Sequence, residues 1–103
     1  MSIETLNDSN FDSETNSGVT LVDFYADWCG PCKRMLPIVN SVAQTLGDSV
    51  RVVKVNVDQS PLLSQRFGVK SIPTFALVKD GQVVSKLIGS KAESELLAFA
   101  SSN

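Results

Sequence analysis

The chain contains two cysteines, Cys29 and Cys32, which stand three positions apart around a Gly-Pro pair. They follow the apolar run "TLVDFYA" and open a segment whose apolar residues recur at helical spacing. Residues three apart lie on the same side of an α-helix, so the two sulfur atoms can meet and form a disulfide. The spacing therefore allows a reversible dithiol–disulfide couple.

The position of each cysteine predicts a different role. We expect Cys29 at or near the N-cap of the helix, where unpaired backbone N–H groups and the helix dipole favour the nucleophilic thiolate. Cys32 lies one turn further in and should be more buried, hence less ionised. Cys29 should therefore attack a substrate disulfide, and Cys32 should resolve the mixed disulfide. Pro31 suits an early helical position, and Gly30 lets another chain approach closely.

Three other interpretations of the pair compete with this one. The cysteines could form a structural disulfide, half of an all-cysteine zinc or iron–sulfur site shared by a dimer, or two inert thiols. The absence of histidine excludes Cys-His catalysis and any metal site that needs histidine. Carboxylate, lysine, backbone and helix-dipole effects must therefore assist whatever the cysteines do.

Length and composition predict one globular domain over residues 1–103. The chain is 43% apolar and 19% charged, which argues against disorder. Its net charge of −2 gives no basic footprint for nucleic acid. The opening "MSIETLNDSN" has neither a signal-peptide pattern nor a membrane segment, so we expect a cytoplasmic protein without membrane contact. In that reducing setting a close Cys pair is more often catalytic or metal-binding than structural.

The apolar patterns predict the order β-α-β-α-β-α-β-β-α around the Cys pair. The first half is predicted to contain a strand at 3–6, a weak helix closed by Gly18, a buried strand at 20–26, and a helix that is kinked at Pro37 and ended by Gly47. The second half is predicted to contain a strand at 50–58, a helix with Ser60 as N-cap that ends at Gly68, and a hairpin through Asp80-Gly81. A Ser90–Glu93 capping box opens the last helix, whose predicted buried face is Leu96, Leu97 and Phe99. Strands that alternate with helices indicate an α/β sheet with parallel pairing, covered on both faces, to which the hairpin adds an antiparallel section. Chemistry in such sheets lies at the carboxyl ends of strands, where Cys29 follows the second strand.

The stretches "VDFYADWCGPCK", "SIPTF" and "KDG", together with Gly89, closely resemble the thioredoxin family over nearly the whole chain. The resemblance implies the thioredoxin fold, a central mixed five-stranded sheet flanked by four helices. It also implies a monomeric protein-disulfide reductase that holds no metal and no cofactor. The implied partners are disulfide-containing proteins and a flavin-containing thioredoxin reductase, which recharges the family with electrons from NADPH.

The resemblance also assigns roles to two charged residues in the apolar strands. The family counterpart of Asp23 is a buried carboxylate behind the Cys pair, and burial should raise its pKa and make it the proton acceptor for Cys32. The alternative is a carboxylate that only caps or pairs with Lys54. The family counterpart of Lys54 lies near the buried acid and would temper its pKa, whereas the alternative is a side chain that reaches out to solvent.

Further positions are implied to form the substrate surface. The family counterpart of Pro73 follows a cis bond and faces the Cys pair. A cis bond here would expose backbone groups that pair with an extended substrate, and it would keep metals away from the thiolates. A flat, mostly apolar docking patch is expected from Trp28, Gly30, Pro31, Ile72 and Gly89. Tyr25 stands where the family often has Trp, and Ser71 stands where a smaller residue often precedes the Ile-Pro pair. Both departures could alter the choice of partners.

Two rival functions remain on the same fold. The first is an oxidase or isomerase, although such relatives often carry His inside the motif, where this chain has Gly30 and Pro31. The second is a binding module that serves as a subunit of a larger enzyme. A protein with both cysteines replaced by serine would separate the second rival from a redox role.

Overall fold

A central sheet organises the computed structural model, which describes residues 3–102. The elements are β1 (Glu4–Leu6), α1 (Phe11–Thr15), β2 (Val19–Tyr25), α2 (Gly30–Leu46), β3 (Arg51–Asn56), α3 (Pro61–Arg66), β4 (Thr74–Lys79), β5 (Gln82–Ile88) and α4 (Glu93–Ala100). The described part of the chain thus has the five strands and four helices that the sequence predicted, in the predicted order.

The sheet is mixed, with the strand order β1-β3-β2-β4-β5. β1 and β2 both run parallel to β3, whereas β4 runs antiparallel to β2 and to β5. β2 is the central strand, and at Asp23 its neighbours are Lys54 on β3 and Phe75 on β4. The predicted thioredoxin fold is confirmed, and the central strand is the one that leads to the Cys pair.

Both faces of the sheet carry an apolar core. Successive residues of β2 point to opposite faces, so Val22 and Phe24 pack with α1 and α3 while Leu21 packs with α2 and α4. The fully buried side chains include Phe11, Phe24, Phe75, Leu6, Leu21, Leu77 and Leu96. Each such side chain stabilises the fold by roughly 1.5–3 kcal/mol relative to an exposed one. The alternation places Asp23 on the face covered by α2.

The helix that carries the Cys pair begins and ends as predicted. Cys29 is its N-cap residue, and Gly47 follows its last residue with a φ of 57°, which a side chain would disfavour. Pro37 lies inside the helix, which continues to Leu46. The long, uninterrupted helix holds Cys32 in its first turn.

α3 begins where predicted, with Ser60 as its N-cap residue, but the hydrogen bonds that cap it come from elsewhere. Pro61 is the first helical residue after Ser60, but the Ser60 side chain makes no capping hydrogen bond and is buried. The carboxylate of Asp8 instead accepts from the backbone N–H groups of Leu62, at 3.2 Å, and Leu63, at 2.9 Å. The cap therefore comes from a residue far away in sequence, which the local pattern could not indicate.

The capping box predicted for the last helix is wrong. α4 begins at Glu93 with Ala92 as its N-cap residue, and no side chain caps it. The carboxylate of Glu93 accepts a hydrogen bond of 2.7 Å from the hydroxyl of Ser41 on α2. Contact with a neighbouring helix has replaced the local cap. Of the predicted buried face, Leu96 is fully buried whereas Leu97 and Phe99 are partly buried.

The hairpin turn follows its sequence signal, whereas the prediction that Gly18 closes the first helix is wrong. Asp80 and Gly81 join β4 to β5 with φ values of 51° and 84°, as a two-residue hairpin requires. The first helix ends at Thr15, short of Gly18, whose N–H donates to the Asp80 carboxylate at 2.8 Å. Among the described residues, no helix is long and apolar enough to cross a membrane.

Candidate active site

The Cys pair lies where β2 ends and α2 begins. Cys29 has an extended backbone, with φ −85° and ψ 108°, and Cys32 lies in the first helical turn. Their Cα atoms are 5.3 Å apart, and the two sulfur atoms form a disulfide. The backbone N–H of Cys32 donates to the Cys29 sulfur at 3.1 Å, so this sulfur occupies the place of an N-cap oxygen. After reduction the same N–H group would stabilise a Cys29 thiolate.

The expectation that Cys32 is the more buried cysteine is wrong for this disulfide form. Both residues have a relative exposure of 4%, because the bond holds the two sulfur atoms together in a small apolar cluster with Ala26. The two sides of the disulfide nevertheless have different neighbours. Cys29 lies next to the Ile72 carbonyl oxygen, 3.9 Å from its sulfur, whereas Cys32 lines a cleft over the sheet.

The segment before β4 lies against Cys29. The Ile72–Pro73 bond is cis, as the resemblance implied. Pro73 is buried and Ile72 is half-buried, which brings the Ile72 carbonyl to the Cys29 sulfur. The N–H of Gly89 donates to the Pro73 carbonyl at 2.8 Å, so Gly89 adjoins the same segment. Three of the predicted surface residues are therefore brought together beside Cys29.

Trp28 immediately precedes Cys29 and is 70% exposed, the largest exposure among the large apolar side chains described. Its indole N–H donates to the Asp58 carboxylate at 2.9 Å, which fixes the ring although little packs over it. Gly30 and Pro31, at the start of α2, are half-buried. An anchored and exposed aromatic ring beside a reactive sulfur is a feature of protein-binding surfaces.

Asp23 is buried on the α2 side of the sheet, with a relative exposure of 2%. Its Oδ1 atom has no hydrogen-bond partner among the described residues. Burial raises the pKa of Asp23 to about 7, and the positive charge of Lys54 acts in the opposite direction. The carboxyl group can therefore exchange a proton near neutral pH.

Lys54 stands beside Asp23 in the β2–β3 register, as the resemblance implied. Within residues 3–102 it forms no ion pair with a carboxylate. Its ammonium group lies 5.3 Å from the centre of the Tyr25 ring. A cleft of about 310 Å³ opens here and is lined by Tyr25, Ala26, Asp27, Cys32, Lys33, Leu36 and Lys54. The same cleft is therefore lined by Cys32 and by Lys54, the strand neighbour of the buried Asp23.

Two residues near the site were missed by the sequence analysis. Asp58 binds Trp28 across 30 residues of sequence, and no local signal could have identified it. The Arg34 guanidinium lies 3.4 Å from the position that a Cβ atom at Gly30 would occupy. The i,i+4 spacing of Gly30 and Arg34 on one helix could have predicted that contact. Within residues 3–102, no group of three or more His, Cys, Asp or Glu side chains is arranged to hold a metal.

Comparisons with known proteins agree with this geometry. The sequence model of the thioredoxin family matches residues 2–102. The thioredoxin of Bacillus subtilis (strain 168) is 42% identical over 96 residues, which cover 93% of this chain and 92% of that protein. The thioredoxin of Listeria monocytogenes is 39% identical over 94 residues, 91% of each chain. The crystal structure of oxidised mitochondrial thioredoxin 3 from Saccharomyces cerevisiae is similar with a TM-score of 0.89 and 37% identity, covering 98% of this chain and 95% of that one.

Proposed function

Since this chain belongs to the thioredoxin family of thiol–disulfide oxidoreductases, we propose that it reduces disulfides in other proteins through the Cys29–Cys32 couple. The observation that carries the proposal is the closed disulfide at the start of α2, with the Cys29 sulfur in the N-cap position. This arrangement favours a thiolate at one sulfur and keeps the second within bonding distance.

The proposed reaction has two exchange steps. The Cys29 thiolate attacks one sulfur of the substrate disulfide, the substrate S–S bond breaks, and one substrate sulfur leaves as a thiolate. Cys32 then loses its proton and attacks the Cys29 sulfur, which breaks the mixed disulfide and releases the second substrate thiolate. The substrate gains two electrons and takes up two protons, and the chain is left in the oxidised form.

Asp23 is proposed to accept the proton of Cys32 in the second step. The support is its burial on the face covered by α2, where Cys32 lies, and its pKa of about 7. A carboxyl group with such a pKa can take up a proton near neutral pH and release it again. Lys54 would moderate this proton affinity through its charge.

The surface around Cys29 is proposed to bind an extended segment of the substrate. The Ile72 carbonyl, 3.9 Å from the Cys29 sulfur, can accept a backbone hydrogen bond from such a segment. The proposed contacts with substrate side chains come from Trp28, Gly30, Pro31, Ile72, Pro73 and Gly89. Trp28 is the residue of this group with the largest exposed apolar surface.

We also infer that the oxidised chain is recharged by a thioredoxin reductase that uses NADPH, and that it works as a cytoplasmic, monomeric single domain. The support is the similarity to bacterial thioredoxins over more than nine-tenths of both chains.

A coupled assay tests this function. Purified chain, NADPH, the thioredoxin reductase of Bacillus subtilis and a disulfide-bonded protein substrate are combined, and NADPH consumption is followed. We expect consumption to require the chain and the substrate and to fall to the background rate with a Cys29→Ser chain, while Asp48→Asn, a change of an exposed acid, has no effect. In a second arm, dithiothreitol replaces the reductase and NADPH. If the substrate is reduced in that arm but not with the reductase, the proposed recharging is contradicted. If the substrate is reduced in neither arm, the proposed reductase function itself is contradicted.

A further inference from the structure

Three side chains of β2 and β3 meet on one face of the sheet. Asp23 and Tyr25 alternate along β2 and so point to the same face, and Lys54 is aligned with Asp23 on the neighbouring strand. The Lys54 ammonium nevertheless forms no ion pair with Asp23, and it lies over the Tyr25 ring at 5.3 Å. The distance is that of a cation–π contact.

The position of this ammonium group affects the buried acid. Lys54 is half-buried in the wall of the cleft, and a long lysine side chain in such a place can extend its charged end to solvent. The negative face of an aromatic ring attracts the ammonium and opposes that movement. The Coulomb energy between two charges falls with distance. If the Lys54 ammonium left the Tyr25 ring for solvent, it would therefore lower the pKa of Asp23 less.

We propose that Tyr25 is a positioning residue, which holds the Lys54 ammonium over its ring and thereby keeps that charge close enough to act on Asp23. Tyr25 does not touch the reacting sulfur atoms in this role. The inference extends the proposed proton-accepting role of Asp23, but it concerns the proton affinity of that acid and not turnover.

The other charged groups around the ammonium are few and stay constant in the experiment. Asp27, after β2, and Lys33, on α2, line the same cleft with opposite charges, whereas Cys32 is held in the disulfide and does not titrate in the oxidised chain. The strand neighbours bring no charge, because Thr5 of β1 is aligned with Lys54 and Phe75 of β4 with Asp23. A change at Tyr25 should therefore act on Asp23 mainly through Lys54.

The test measures the pKa of Asp23 by NMR titration of its side-chain carboxyl carbon in the oxidised full chain. Tyr25→Leu removes the ring, and Tyr25→Phe is the matched control that keeps it. We expect Tyr25→Leu to raise the Asp23 pKa by about half a pH unit, and Tyr25→Phe to leave it unchanged. In a Lys54→Met background, where no ammonium remains, Tyr25→Leu should cause no further shift.

A Tyr25→Leu shift of equal size in both backgrounds would show a purely structural effect and overturn the proposal, as would no shift or a downward one. If Tyr25→Leu fails to fold, the unaltered chain supplies the test. Ring-current shifts should move the Lys54 ε-methylene protons upfield, and ordinary lysine shifts there would also overturn the proposal. These readouts need no substrate, so failure of the reductase assay and failure of this inference are distinguishable.

Discussion

A Cys32→Ser chain is expected to attack a protein disulfide and then remain covalently attached to its substrate. Cys29 keeps its place at the helix N-terminus, where backbone N–H groups favour the thiolate, so the first exchange step should survive. Serine cannot resolve the mixed disulfide, because its hydroxyl does not displace a thiolate under these conditions. A complex that persists on a non-reducing gel and disappears with dithiothreitol is the expected result.

Cys29→Ser is the matched variant for this experiment. It removes the nucleophile, so we expect no complex and a rate of substrate reduction lower by a factor of about 10³ or more. Quantification of the complex by mass spectrometry distinguishes the two variants. A stable complex with Cys29→Ser and none with Cys32→Ser would reverse the assigned roles, whereas unchanged turnover in either variant would contradict the two-step mechanism.

Asp23→Asn is expected to change how the stability of the fold depends on pH. The folded-state pKa of Asp23 is raised to about 7, above its ordinary value of 3.8, chiefly by burial. Folding is therefore favoured while the group is protonated, and this stability is complete below pH 3.8 and lost as the pH rises through 7. The free energy of unfolding should fall by about 4 kcal/mol in total, because each unit of the pKa difference between 3.8 and about 7 corresponds to about 1.36 kcal/mol.

Urea unfolding of the oxidised chain between pH 4 and pH 8 measures this effect. The advantage of Asp23→Asn over the unaltered chain should grow by about 4 kcal/mol across that range, because the amide cannot ionise. Asp48→Asn, which changes an exposed acid, is the control and should keep the pH dependence of the unaltered chain. An advantage for Asp23→Asn that does not grow with pH would show that the buried acid ionises as readily as an exposed one.

The order of the elements and the position of the Cys pair could be predicted because their signals are local. The two-residue hairpin follows from Asp80 and Gly81, which tolerate the positive φ values observed there. The helix after Cys29 ends at Gly47 for a similar reason. The buried strand that contains Asp23 has a local signal in its apolar run, but the roles of Asp23, Lys54 and Pro73 and the cis bond follow only from the family resemblance.

The contacts that the sequence did not predict join residues that are distant along the chain. Asp8 caps α3 in place of Ser60, and Glu93 binds Ser41 in place of forming a capping box. The folded arrangement alone brings these groups together, and there a tertiary hydrogen bond replaces the local one. The equal burial of the two cysteines likewise depends on the disulfide, which a helical pattern does not take into account.

The reduction potential of the Cys29–Cys32 couple tests the central claim most directly. The protein is equilibrated in dithiothreitol and glutathione buffers, and its free thiols are counted by alkylation. We expect a reversible couple near the value of about −270 mV already known for thioredoxin, below the roughly −220 to −260 mV of cytosolic glutathione, so that electrons pass to protein disulfides. A potential near about −180 mV, as in protein disulfide isomerase, or near about −120 mV, as in a strong oxidant, would contradict a reductase. The absence of a reversible couple would contradict any redox function of the pair.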